Sequence, residues 1–449
     1  MNTTVRRPWP QWMLPAMVLA AALLAQVPLI LNPGYFSHDE LQWAAFAAQH
    51  PGWYFRDYLW SDVGSFQYRP LTFSLWLWLS DVAFARPQAF HAVFVAWGAT
   101  NAAGLALLLR RFGLAPAVAC AGALVFALSP YASYTHAWVG TLGDLIWVSC
   151  ALGVGLVAQA GRAGWPTALA CAALTSVALL SKEAGIVIPA LAAMAWWWLG
   201  RPKAWGWAVL GASAPAAIYL LMRMGVLLFS PPESSYYQWG PAFVPQRWLE
   251  YQLFPWFPKR FEMINLLAME SGKTRFWVAV AVWAALAWTF ARLGLRWLLA
   301  FVLLGAAALG PVLILTQSSN QYGYGFAAVM AALGAAAWPR SGRAGRAVLL
   351  LAALLSCWHG INVMRQMHQV GQVQARFSPA LAEAVRQQGG DRAVRLRAAD
   401  PDRDWVFRRL SHDIPSYHGV AIGDRVQMVE PGAVADYVIA EDGTLQPSR

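Results

Sequence analysis

Charge is what this chain has least of. Asp, Glu, Lys and Arg together make up 12% of its 449 residues, about half the roughly 25% of a soluble domain. A polar surface all round cannot be built from so few charges, which excludes an ordinary water-soluble enzyme. Cysteine is nearly as sparse. Its four copies, Cys120, Cys150, Cys171 and Cys357, all lie inside apolar runs, without metal-ligand spacing and without the pattern of a disulfide framework. There is no internal repeat and no low-complexity segment. The first apolar run lacks a small-residue cleavage site, so it is expected to stay as a helix instead of leaving as a signal peptide.

What fills the chain is apolar and aromatic. Apolar residues make up 58%, and there are 26 Trp. Apolar runs near membrane-spanning length recur along it, which predicts an α-helical polytopic membrane protein with Trp at the interfaces. Eleven spans are expected, at about 12–31, 89–109, 114–130, 144–160, 165–181, 184–199, 204–229, 276–292, 297–315, 322–338 and 346–363. The run 71–84 is too short to span and is expected to lie in the interface. Treating it so keeps Arg6 and Arg7, Arg110 and Arg111, Arg162, Arg201 and Lys203, Arg292 and Arg296, and Arg340, Arg343 and Arg346 on one side. The positive-inside rule makes that side, with the N-terminus, cytoplasmic. All eleven acids before residue 364 then fall on or near the other face, Asp57, Asp62 and Glu233 among them.

The net charge of +11 belongs to the first 363 residues, because the tail from Met364 carries eleven Arg against eleven acids. That excess suits basic loops and lipid headgroups, not nucleic acid. Residues 1–363 are therefore expected to form the membrane domain, with outer loops 32–88 and 230–275, and residues 364–449 a small outer α/β domain. In that tail, 378–388 reads as a short helix, and 393–397, 420–429 and 435–440 as strands. Within the second loop, Gln246–Phe261 alternates aromatics with Arg247, Glu250, Lys259 and Arg260. It reads as a second interfacial segment, either a lid or a simple anchor.

Five groups could carry chemistry. Asp39 and Glu40 stand at the mouth of the first span, in Ser37-His38-Asp39-Glu40; they suit a catalytic site, and equally a helix start capped by Ser37. Asp144 ends the run His136 to Asp144, beside the further polar candidates His136 and Thr141. A carboxylate this close to the bilayer needs a reason, whether a site or a helix N-terminus. Lys182 and Glu183 form the whole connection between the fifth and sixth spans. They suit phosphate binding, or an ion pair closing the hairpin. Arg69, before Pro70, could hold a phosphate or snorkel to headgroups. Asn320, Gln321, Tyr322 and Tyr324 could contact a sugar or line an ordinary helix end.

In this order the motifs resemble the GT-C superfamily of membrane glycosyltransferases, closest to the branch of protein O-mannosyltransferases, TMTC-like mannosyltransferases and bacterial lipid A aminoarabinose transferases. The shared pattern is the acidic pair Asp39-Glu40, Arg69-Pro70-Leu71 opening an interfacial helix, and the inner loop Arg110-Arg111-Phe112-Gly113. It continues with Ser129-Pro130 followed by Asp144, and ends at Ser181-Lys182-Glu183. The resemblance implies a GT-C-like fold in the bacterial inner membrane. It also implies inverting transfer of a sugar from a polyprenyl-phosphate donor to an envelope acceptor, whether protein, lipid or glycan. Asp39 matches the catalytic base, Asp144 the second acid that holds the acceptor or a metal, and Lys182 the cation against the donor phosphate. Some members use a divalent cation; magnesium or manganese would fall to Asp39 and Asp144. Asn320-Gln321 departs from the basic residues often found there. The competing class is a transporter or flippase of lipid-linked sugars, for which repeated halves and midplane charges are expected; neither is legible.

Overall fold

Proline punctuates the chain, and the helices begin where it stands. In the computed structural model, which describes residues 12–54, 56, 60–65, 67–229, 238–389 and 392–448, Pro70, Pro87, Pro116, Pro130 and Pro166 each sit in the first turn of a helix. Proline is tolerated there because its missing N–H would have had no intrahelical partner. Arg6, Arg7, Asp57 and Glu233, to which the sequence assigned sides of the membrane, lie outside the described residues.

The helices run in this order: α1 (Met13–Ala25), α2 (Val27–Ile30), α3 (His38–Gln49), α4 (Pro70–Ala83), α5 (Pro87–Arg111) and α6 (Pro116–Ala127). Next come α7 (Pro130–Thr135), α8 (Leu142–Gln159), α9 (Trp165–Ser181), α10 (Ile188–Trp198), α11 (Lys203–Phe229) and α12 (Val244–Leu253). The remainder are α13 (Leu266–Glu270), α14 (Thr274–Leu293), α15 (Leu295–Leu309), α16 (Tyr324–Ala337), α17 (Arg343–Gln388) and α18 (Asp404–Ser411). Each of the eleven expected spans is occupied by helix. Among the described residues, six helices are long and apolar enough to cross a membrane: Pro87–Arg111, Val139–Gln159, Lys203–Val226, Thr274–Leu293, Leu295–Ile314 and Arg343–Gln388. Four more apolar helices are shorter. Exposed large apolar side chains line these helices, for example Ile218, Leu220, Leu221 and Met222 on α11, and Trp277 and Trp288 on α14. Such a surface is stable against lipid and a liability in water.

The basic loops gather at one end of the bundle. The Arg111 guanidinium donates to the Leu156 carbonyl, Arg296 stacks on Trp197 and Trp198, and Arg340 on Trp297. Gly113 and Gly294 close helices at this end with φ of 84° and 119°, a left-handed stop that a side chain would strain. At the opposite end sit α3, α4, α12, α13 and the C-terminal α/β region. The run 71–84, expected in the interface, is α4, and one flank of it is buried. The alternating stretch 246–261 is partly α12; Lys259 is exposed, but two of the stretch's charges turn inward. Arg247 and Glu250 are buried and paired at 2.5 Å.

The tail departs most from expectation. No break separates the last span from the outer domain: α17 runs unbroken for 46 residues, through Pro379, to Gln388. Beyond Val363 its composition turns polar, yet Met367, Val370, Gly371, Gln374 and Phe377 continue one buried stripe at helical spacing. Strands are present near 393–397 and 435–440 as expected, whereas 420–429 holds two short strands of separate sheets with a turn at Gly423–Arg425 between them. β1 (Val394–Ala398) pairs in parallel with β4 (Val426–Met428) and with β5 (Tyr437–Ile439), while β6 (Leu445–Pro447) runs antiparallel to β5. The short hairpin β2 (Ser416–Tyr417) and β3 (Val420–Ala421) stands apart from this sheet. Phe377, Leu396, Phe407 and Ile439 share one apolar cluster with Phe36, Leu41, Tyr134 and Phe261. The α/β region is thus packed into the loops that follow α2 and α6.

Close helix approach sets this packing. A Cβ at Gly360 of α17 would come 2.8 Å from the backbone carbons of Leu128 and Ser129. Overpacking of this kind costs about 1–3 kcal/mol. Gly360→Ala should therefore lower the thermal unfolding temperature of the purified protein, whereas Gly342→Ala, in open space, should leave it unchanged.

Candidate functional site

The site grows from one turn that carries two glycines, Trp138-Val139-Gly140-Thr141-Leu142-Gly143-Asp144, between α7 and α8. A Cβ at Gly140 would lie 3.0 Å from Asp39 Oδ2, and one at Gly143 would lie 2.8 Å from the Ser181 carbonyl oxygen and 3.1 Å from Thr72 Oγ1. The turn is thus gripped by α3 on one side and by α4 and the end of α9 on the other. Asp39 and Asp144 stand on its two flanks.

On the α3 side, both readings of the acidic pair hold, one for each residue. Ser37 caps α3, and Glu40 completes a capping box by accepting from the Ser37 N–H at 3.0 Å. The other Glu40 oxygen accepts from Val139 N–H at 3.4 Å. Glu40 is fully buried, and burial first, then the neighbouring Asp39 charge, pushes its carboxyl up to about 8. It braces the start of α3 against the Val139 turn. Asp39 points elsewhere, with its side chain 22% exposed. Burial raises its carboxyl above the usual range, while His38, 3.5 Å away, and Arg409 pull it back down. On α3 it shares a face with Gln42, Trp43 and Phe46, three, four and seven residues on. These three line a cavity of about 490 Å³.

On the α4 and α9 side lie two ion pairs. Lys182 Nζ donates to Asp144 Oδ2 at 2.5 Å, with both side chains almost fully buried. The other Asp144 oxygen accepts from the Trp147 indole N–H at 3.2 Å. The Lys182 ammonium also lies over the Tyr322 ring, 4.9 Å from its centre. Arg69 holds Glu183 with two bonds, Nε to Oε2 at 2.8 Å and a second from Nη2. Lys182 and Glu183 therefore do not close their own hairpin. Lys182 ends α9 in an extended conformation, φ −161° and ψ 138°, so the two side chains reach different partners, one on α8 and one before α4.

Other candidates turn out to be internal fasteners. His136 is fully buried between Gln26 Oε1 at 2.7 Å and the Tyr324 hydroxyl at 3.1 Å, which leaves its ring no open position. The Thr141 hydroxyl donates to the Thr135 carbonyl at 2.6 Å. Asn320 accepts from Met263 N–H and donates to the Phe261 carbonyl, both at 2.8 Å. Gln321 is buried nearby with an unpartnered side-chain oxygen.

The two carboxylates expected to hold a divalent cation stand in different surroundings. Both Asp144 oxygens are taken by N–H donors, and Asp39 faces Arg409 and His38. Among the described residues, no three His, Cys, Asp or Glu side chains gather as a ligand set.

The structure adds residues that the sequence did not single out. Arg409 of α18 donates to Glu262 at 2.8 Å and lies 4.4 Å over the Phe36 ring. Tyr134 donates to the same Glu262 oxygen at 2.9 Å. Arg223, on the α11 span, is 1% exposed and donates to the Val63 carbonyl. Only Arg223 had a signal available, a charge inside an apolar run. Comparison with known families, curated proteins and solved structures gives no match.

Removing one member of a buried pair leaves the other charge uncompensated, at a cost of about 3–5 kcal/mol. Lys182→Met and Asp144→Leu should each destabilise the protein strongly in denaturant titrations. The double variant should recover most of the loss if the pair serves structure alone.

Proposed function

We propose that the chain is an inverting glycosyltransferase. It moves a sugar from a polyprenyl-phosphate donor to an acceptor hydroxyl at the membrane face carrying residues 32–88. Asp39 is the general base. It takes the hydroxyl proton as the acceptor oxygen bonds to the anomeric carbon, and the carbon–oxygen bond to phosphate breaks with its electron pair leaving on the phosphate. The chemistry needs a carboxylate whose affinity for protons is raised towards working pH, and positive charge for the departing phosphate.

The observation that carries this reading is the division of labour at Asp39-Glu40. Glu40 is consumed as a cap, while Asp39 keeps part of its surface exposed, on the helix face that leads into a cavity. Lys182 and Arg69, each held by an acid, stand at the same end of the bundle. A second cavity, of about 390 Å³, is mainly apolar, with Leu105, Leu108, Ile188, Trp205 and Trp147 in its lining and Arg340 as its one charged side chain. Through Trp147 it reaches Asp144, an arrangement suited to an isoprenoid chain ending near the ion pairs. In this reading the eleven helical segments are eleven crossings. The basic end is cytoplasmic, and the Asp39 end faces outward from a bacterial inner membrane.

Turnover tests the chemistry. Purified protein given polyprenyl-phosphate sugars and an envelope extract should transfer sugar, and Asp39→Asn should lose at least about 100-fold of the rate. Equal transfer by the variant removes Asp39 from the role of base. Membrane-impermeant thiol labelling tests the topology in a background without native cysteines. Asp39→Cys and Arg111→Cys should react from opposite sides, and same-side reaction would overturn the eleven crossings.

A further inference from the structure

The cavity beside Trp43, one turn along α3 from Asp39, has a mixed lining. Trp43 and Phe46 of α3 and Phe73 of α4 give it flat rings, and Trp43 is stacked on Phe73 with ring centres 5.2 Å apart. Asp62 and Gln67, from the segment before α4, put a carboxylate and an amide into the same wall. Ser65, Tyr68 and Arg69 of the same segment also line it, and the C-terminal region adds Asp413 and Pro415. Asp413 stands there with φ of 53°, a left-handed backbone that Asp tolerates better than most residues. In that conformation its carbonyl accepts from Gln42 Nε2 at 2.7 Å, which ties the 412–415 loop to α3. Strained backbone of this kind persists only where the surroundings over-determine it.

We propose that this cavity binds the acceptor, and that the acceptor is a saccharide. The proposal rests on the transfer reading above. Its volume of about 490 Å³ falls in the range of small-molecule sites, roughly 300–1,000 Å³. Flat rings meet the C–H faces of a sugar, and amide and carboxylate groups meet its hydroxyls. A lipid tail would leave Asp62, Gln67 and Asp413 facing hydrocarbon, at a cost for every unpartnered polar group. Asp39 lies one turn before Trp43 on the same face of α3, so a sugar ring against Trp43 brings a hydroxyl towards the base. The C-terminal region thereby selects the acceptor, because the 412–415 loop forms one wall of the cavity.

The test is a binding measurement on the full-length protein in detergent. Maltohexaose, cellohexaose and chitohexaose are titrated while tryptophan fluorescence is followed. At least one should quench saturably. Its affinity should fall tenfold or more in Trp43→Ala, and also in the double variant Asp62→Asn, Gln67→Ala, whose positions lie outside the apolar core. Saturable quenching by none of the three overturns the proposal, as does unchanged affinity in both variants. A Ser/Thr-rich peptide that quenches at lower concentration than every hexasaccharide also overturns it and makes the acceptor a protein. Release of sugar from a polyprenyl-phosphate donor is measured on the same preparation. Release without oligosaccharide binding refutes the acceptor assignment alone. Oligosaccharide binding without release refutes the transfer reading and leaves a saccharide-binding protein.

Discussion

Two opposite charges buried at the end of a helical bundle must be matched closely or not be there at all. The Lys182–Asp144 pair, 2.5 Å apart and out of reach of solvent, imposes that demand on everything near it. The desolvation of each ion is offset only by close approach to its partner and by further hydrogen bonds. Trp147 and the Tyr322 ring supply those further contacts. Lys182 can reach Asp144 only because α9 stops at Ser181 and the next residue is extended. The same extension turns Glu183 away to Arg69, which fixes the start of α4. Gly143 is part of this arrangement, since any side chain there would press on Ser181 and Thr72.

Much of this was legible in the sequence. The helical segments, the short α4, the three strand regions of the tail and the capping role of Ser37 all follow from apolar run length, proline placement and local capping chemistry. Periodicity would also have extended α17 beyond Val363. Average composition conceals the Met367, Val370, Gln374 and Phe377 stripe, because polar residues surround it. The side-chain partners were not legible. Nothing local distinguishes Glu183, which pairs with Arg69, from a residue that pairs with its own neighbour Lys182. His136 looked like a ligand because it is polar within an apolar stretch. Only the fold brings Gln26 and Tyr324 to its two ring nitrogens.

The C-terminal region shows the same limit from the other direction. By composition it is a neutral, water-compatible tail without a chemical motif. In three dimensions its helix α18 lays Arg409 on Phe36 and bonds it to Glu262, which places a cation within electrostatic reach of Asp39. Arg409 lies 147 positions from Glu262 and far further along the chain from Phe36 and Asp39, with no spacing rule between them. Their meeting is a property of one apolar cluster, in which Phe407 and Leu396 pack with Phe36 and Phe261.

The uninterrupted α17 sets a rule about chain length. Its 46 residues rise about 69 Å, while the hydrocarbon core of a bilayer is about 30 Å. The helix therefore both carries a stretch long and apolar enough to cross a membrane and forms the mast on which the α/β region stands, with no slack between them. Adding or removing one residue in the stretch 364–388 would turn everything beyond it by about 100°. The 412–415 loop and Arg409 would then swing away from α3. Side chains along the solvent flank of this stretch are free to vary, but the number of residues is not. The helix acts as a gauge that holds the phase of the whole C-terminal assembly.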